Sequence, residues 1–97
     1  LADDMCSTAN TLVSAAKASR EGGAHHIYAA ITHGLLVGDA IEKIEASPIE
    51  LVLLGNTIMP NRKLPKKFRQ VSVASHFAHA IRCQLSKESI SSLYEFE

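Results

Sequence analysis

The sequence predicts a single α/β domain built on a parallel β-sheet, and three observations carry that reading. Short continuous apolar runs, "IYAAI" (27–31) and "LVLL" (51–54), have the character of strands buried on both faces. Stretches with helical periodicity alternate with them, the pattern of βαβ units joined by right-handed crossovers. The length, 97 residues, suits one core and leaves no room for a second.

Taken in order, "DDMCSTANT" (3–11) places two carboxylates ahead of a run of small polar residues. Residues 11–21, "TLVSAAKASRE", then have apolar or small side chains at 12, 15, 16 and 19, the period of a helix. Gly22 and Gly23 stop it, with Lys17 and Arg20 near its negative end. A strand follows from Ile27, ending at Gly34. "GDAIEKIEAS" (38–47) reads as a short helix with Ile41 and Ile44 inward and Glu42 and Glu45 outward. The second apolar strand is Leu51–Leu54. "GNTIMPNRKLPKK" (55–67) is a loop by its glycine, asparagines and prolines. "RQVSVA" (69–74) is expected to be a third strand, and "SHFAHAIRCQLSKE" (75–88) a third helix with Phe77, Ile81 and Leu85 at four-residue spacing. The tail, "SISSLYEFE" (89–97), is expected to dock as an extended segment.

Composition excludes several function classes. A hydrophobic fraction of 46% and a charged fraction of 21% are those of a folded globular chain. Ten basic and ten acidic residues cancel, so neither nucleic acid nor an acidic membrane is an indicated partner. Five of the ten basic residues nevertheless fall in one window, at Arg62, Lys63, Lys66, Lys67 and Arg69; an exposed, solvated loop is the expectation there. No apolar run is long enough to span a bilayer. Cys6 and Cys83 form neither a disulfide framework nor a CxxC pair, which points to free thiols in a reducing compartment, the cytoplasm. His76 and His79 lie three apart on a helix, but no carboxylate or cysteine completes a zinc set with them. His33, at the carboxyl end of a strand, reads as a structural hydrogen-bonder.

The opening loop carries the chemistry. Ligands of open α/β sheets bind beyond the carboxyl ends of strands, where a loop feeds a helix. The free N–H groups and positive dipole end of that helix favour a phosphate. Ser7, Thr8, Asn10 and Thr11 add hydroxyl and amide donors, and Ala9 lets the backbone approach closely. Asp3 and Asp4 would repel a second phosphate unless a cation lay between, but accept readily from vicinal hydroxyls. A phosphorylated diol fits both halves, a pentose phosphate being the simplest, with Mg²⁺ near the acids. The alternative for the same residues is a capped helix preceded by two solvated carboxylates.

"DDMCSTANTL" also resembles the ribose-phosphate loop of proteins with the type I phosphoribosyltransferase fold. With "IYAAITHGLLVGDAIEKIEASPIE", "NTIMP", "VSVASHFAHAIR" and "ESISSLY", the chain is similar over residues 2–94 to the C-terminal part of the ribose-phosphate diphosphokinase (phosphoribosyl pyrophosphate, PRPP, synthetase) family. The resemblance implies a three-layer, doubly wound parallel sheet, with residues 1–97 forming the C-terminal part of a phosphoribosyltransferase-like domain. It further implies truncation at the N-terminus, where the strand delivering Asp3, the ATP-binding residues and a flexible catalytic loop would lie. The implied reaction transfers the diphosphoryl group of ATP to ribose 5-phosphate, giving PRPP and AMP, with Mg²⁺ as cofactor and a homo-oligomer as the assembly. Asp3 and Asp4 match the acids beside the ribose hydroxyls, and Ser7, Thr8, Ala9, Asn10 and Thr11 the 5′-phosphate cradle. Ser89, Ile90 and Ser91 match a segment contributing to a regulatory phosphate site. No residue of this segment is assigned a covalent catalytic role, and the segment alone is expected to be inactive. A nucleobase phosphoribosyltransferase and a non-catalytic synthetase-associated regulatory subunit are the alternatives. The chain departs from the pattern at Ser7, often Asp; at Ala9-Asn10, usually a glycine-containing pair; at "LLVGDA"; at Gly55, usually Thr; and in its basic 61–69 loop.

Overall fold

The computed structural model describes residues 1–91; Leu93 and Tyr94, which end the "ESISSLY" stretch, lie outside the described residues. The chain runs β1 (Ala2–Cys6), α1 (Asn10–Glu21), β2 (Tyr28–Gly34), α2 (Ala40–Glu45), β3 (Leu51–Gly55), β4 (Phe68–Val71) and α3 (Ala74–Ser86). Each expected helix is present, and each expected strand, with small shifts at the ends. "RQVSVA" yields a strand only as far as Val71. The Asn56 side chain accepts the Val73 N–H at 2.9 Å and Ser72 Oγ accepts the Ala74 N–H at 3.2 Å, which turns the chain into α3.

The four strands are all parallel and lie in sequence order, β1-β2-β3-β4. With right-handed crossovers, an order that never reverses puts the connecting helices on one face. Burial agrees. Leu12 and Ala16 of α1 and Ala40, Ile41 and Ile44 of α2 meet Ala29, Ile31, Val52, Leu54 and Phe68 of the sheet in one core. Ile44 and Ala16 are wholly buried. The α/β class with a parallel sheet is therefore as expected. On the other face of the sheet Tyr28, Ala30, Leu53 and Val71 are exposed among the described residues. The apolar run 27–31 is accordingly covered on one face: Ala29 and Ile31 are buried while Tyr28 and Ala30 are exposed.

Two further expectations are corrected. The strand carrying the acids is present as β1, and both Asp3 and Asp4 lie within it. Their neighbour in the sheet is β2, with Asp3 in register with Ile31 and Met5 with His33. On α3, the four-residue spacing makes a helix but not a core face: Phe77, Ile81 and Leu85 are 57%, 60% and 80% exposed, and Cys83 is the helix's buried residue. Periodicity reports which side chains share a face, not whether anything covers it.

The basic window is mostly used for structure. Lys67 Nζ donates to the carbonyls of Ile44, Glu45 and Ser47 at 2.9, 2.9 and 3.2 Å, satisfying the C-terminal end of α2. Arg62 pairs with Glu42 of that helix, and Arg69 Nη1 donates to the Lys66 carbonyl at 2.6 Å. At Gly55 the sheet is unusually tight: a Cβ there would lie 2.4 Å from the Thr32 carbonyl oxygen.

Candidate functional site

The carboxyl ends of the strands gather four connections: residues 7–9 after β1, 35–39 after β2, Asn56 and Thr57 after β3, and Ser72 and Val73 after β4. Their contacts make one edge. Cys6 O accepts the Leu35 and Leu36 N–H groups at 2.9 and 3.2 Å, and Ser7 O accepts that of Val37 at 2.9 Å. The first and second loops are thus laced together along the backbone. Leu36, buried, takes φ 49° to make this turn, and Gly38 follows at φ 61°.

A cavity opens above β1, lined by Asp3, Met5, Cys6 and the run Ser7–Leu12. The first turn of α1 faces it without a cap. Ala9 occupies the N-cap position and no side chain caps the helix, although Ser7, Thr8 and Asn10 stand within reach in sequence. The N–H groups of Asn10, Thr11 and Leu12 meet no acceptor among the described residues; Val13 N–H is the first to bond, to Ala9 O at 2.9 Å. An uncapped first turn leaves its N–H groups and dipole available to an anion. The capped-helix alternative therefore lacks the bonds that define it.

Ala9 turns the loop. It has φ 68°, the left-handed region, while being 4% exposed. Glycine adopts this geometry freely, and an L-residue with a Cβ pays about 1–2 kcal/mol for it.

Asp3 and Asp4 occupy successive positions of β1. Side chains alternate across a strand, and Asp3 shares its register with Ile31 on the helix-covered side. Asp3 lines the loop cavity; Asp4 instead lines a shallow trough on the open sheet face with Ala30, Thr32, Leu53 and Val71. Asp3 borders that trough too, so it is the carboxylate common to both surfaces. Asp3 Oδ1 also accepts the Asp4 N–H at 2.8 Å.

Cys6 sits at the floor of the loop. Burial pushes its thiol above the ordinary range, partly offset by the Ala9 N–H directed at it, and the nearby Asp3 carboxylate raises it further. It is a protonated thiol, not an activated thiolate. Because folding holds the proton on, this group leaves stability unchanged below the ordinary thiol pKa. It lowers stability as pH rises through that value toward the folded one. Cys6 is expected to alkylate with iodoacetamide far more slowly in the native chain than in urea at pH 8. Mass mapping of the modified cysteine reads this directly; equal rates would contradict the burial.

His33 is half-buried, with Nδ1 2.6 Å from Thr57 Oγ1, and Thr57 Oγ1 donates to Thr32 O at 3.3 Å. His33 is the structural hydrogen-bonder its position suggests. Asn56 and Thr57 clamp the edge together, yet in the sequence they mark only a loop.

Lys43 is the residue the sequence conceals. From α2 it donates to Asn10 Oδ1 at 2.8 Å and pairs with Asp39 at 3.1 Å, across 33 residues in the first case. No local pattern in "AIEKIE" points to that contact. Ser89, Ile90 and Ser91 are exposed in a turn after α3, where Ser89 Oγ bonds Ser91 Oγ at 2.9 Å and accepts the Ser91 N–H at 3.1 Å. Among the described residues no three His, Cys, Asp or Glu side chains are grouped to hold a metal, and no helix is long and apolar enough to cross a membrane.

The chain is thus an α/β domain with a parallel sheet and an uncapped, hydroxyl-rich loop at the sheet's carboxyl edge. Comparison with known proteins narrows the class. The family model described as the phosphoribosyl synthetase-associated domain matches residues 1–95, and the chain belongs to that family. Ribose-phosphate pyrophosphokinase 1 of Listeria monocytogenes is 44% identical over 94 residues, 96% of this chain and 30% of that protein. The ribose-phosphate pyrophosphokinase of Chlorobaculum tepidum is 40% identical over 95 residues, 98% of this chain and 29% of the relative. The crystal structure of phosphoribosylpyrophosphate synthetase from Mycobacterium smegmatis superposes with a TM-score of 0.82 at 29% identity, covering 90% of this chain and 30% of that one. The chain thus spans about a third of the length of the proteins it matches.

Proposed function

We propose that this chain provides the ribose 5-phosphate site of a ribose-phosphate diphosphokinase, which transfers the diphosphoryl group of ATP to ribose 5-phosphate. The observation that carries the reading is the uncapped first turn of α1, surrounded by Ser7, Thr8, Asn10 and Thr11. In this reading those residues hold the 5′-phosphate, and Asp3 accepts from the ribose hydroxyls, with Asp4 serving the open face beside it. In the reaction the anomeric hydroxyl oxygen bonds to the β-phosphorus of ATP. The bond from that phosphorus to the α–β bridging oxygen breaks, AMP leaves and the hydroxyl proton is lost. Such a transfer depends on positioning and charge neutralisation more than on a protein nucleophile, which suits a loop whose cysteine is held protonated.

Mg²⁺ belongs to this proposal in an outer role. Two adjacent carboxylates on opposite faces cannot cage it, but one or two carboxylates with waters and phosphate oxygens are its usual partners. Asp3, which borders both surfaces, would hold its waters with Asp4 close by, and the ion would neutralise charge on the diphosphoryl group. The residues for ATP lie mostly outside this segment, and the 97-residue chain alone is expected not to turn over. Assembly as a homo-oligomer, a cytoplasmic setting and a regulatory phosphate contact at Ser89, Ile90 and Ser91 complete the proposal.

Titration of the ¹⁵N-labelled chain with ribose 5-phosphate is expected to shift the amide signals of residues 3–11, with inorganic phosphate competing and ribose alone ineffective. No shift at millimolar ribose 5-phosphate in a folded sample overturns the assignment.

A further inference from the structure

We infer that Lys43 is a positioning residue of the phosphate cradle, turning the Asn10 amide so that its NH₂ group faces the bound anion. The inference rests on the ribose 5-phosphate reading above and adds a residue to that site. Asn10 is the first residue of α1 and lines the loop cavity. An asparagine side chain has an accepting end and a donating end, and either can in principle turn toward a ligand. Lys43 removes the choice. An ammonium group only donates, so its contact at 2.8 Å engages the oxygen, Oδ1. The two N–H donors at the other end then remain for the cavity, and they have no acceptor among the described residues. Without the lysine, the amide is free to present its oxygen, which repels a phosphate.

The lysine is itself held. Asp39 Oδ1 lies 3.1 Å from Lys43 Nζ one helical turn earlier, and the Asp39 carboxyl is kept below its usual range chiefly by that hydrogen bond. Asp39 ends the 35–39 loop, whose backbone is laced to Cys6 and Ser7. One cation thereby ties the second loop to the first turn of α1, and adds positive charge behind the cradle. The Lys43 side chain is about one-third exposed, so its charge is screened and its main effect is on amide orientation.

The test is a double-mutant cycle on the 97-residue chain, reading the Kd for ribose 5-phosphate and for inorganic phosphate by NMR titration, with thermal melts confirming each fold. Lys43→Met is expected to weaken both ligands about tenfold, the scale of one charge-assisted hydrogen bond, and Lys43→Arg to restore most of the loss. In an Asn10→Ala background, Lys43→Met is expected to cost less than about twofold, since its target is gone. Unchanged affinity in folded Lys43→Met, failure of Arg to rescue, or the same loss with and without Asn10 overturns the inference and leaves the cradle standing. If the unsubstituted chain binds neither ligand at millimolar concentration, the cradle reading fails and this inference fails with it.

Discussion

Ala9→Val is expected to abolish ribose 5-phosphate binding and to lower the unfolding free energy by about 2–4 kcal/mol. Ala9 carries two demands at once: φ 68°, and a methyl packed in the core at 4% exposure. Valine meets neither. Its β-branch makes the left-handed region a severe outlier, and its two added carbons must displace neighbours around a side chain that is 4% exposed. The least costly escape is for residue 9 to leave that region, which swings the Asn10, Thr11 and Leu12 N–H groups away from a common point. Ala9→Gly separates strain from packing. It relieves the backbone by about 1–2 kcal/mol, but loses a buried methyl worth about 0.8 and adds chain entropy in the unfolded state worth about 0.4–1. Those terms nearly cancel, so stability should change by less than about 1 kcal/mol and binding should persist. Urea denaturation paired with ligand titration checks both. A valine variant that binds normally would show that the turn at Ala9 does not shape the cradle.

Ile44→Ala is expected to cost about 2–5 kcal/mol, the range for emptying a buried aliphatic site. Ile44 is wholly buried on a helix of six residues, and its carbonyl accepts from both Lys67 Nζ and Ser47 Oγ. A helix this short has little stability of its own and is held by packing and by that lysine. In a domain of this size the loss corresponds to a fall in Tm of about 10–30 °C. Leu85→Ala provides the contrast: the side chain is 80% exposed, and its removal should alter stability by less than about 0.5 kcal/mol. Melts of the two variants side by side test whether the core lies under α2 and not under α3. Comparable losses in both would refute that placement.

The two apolar runs and the helical spacings identified most elements because secondary structure follows from side-chain periods of two and 3.6, which are local. The loop between β1 and α1 was legible for a similar reason: small polar residues ahead of a helical repeat are a local signal. Other features were not. "RQVSVA" has strand composition throughout, but Asn56, seventeen residues from Val73, ends the strand early. Phe77, Ile81 and Leu85 have core spacing without a core, because what covers a face lies outside that face's own sequence. The adjacent acids carry no local sign of which surface each one lines; β1 runs through both, and side chains alternate along a strand.

By itself, then, the sequence determined the α/β class, the order of its helices and strands, a loop of small polar residues ahead of the first helix and a family resemblance. Only the tertiary structure decided which carboxylate faces the loop cavity, that Ala9 turns the chain in the left-handed region, and that Lys43 reaches Asn10. Each of these depends on strand register and crossover packing. Those juxtapose residues dozens of positions apart, and no local period along the chain records their meeting.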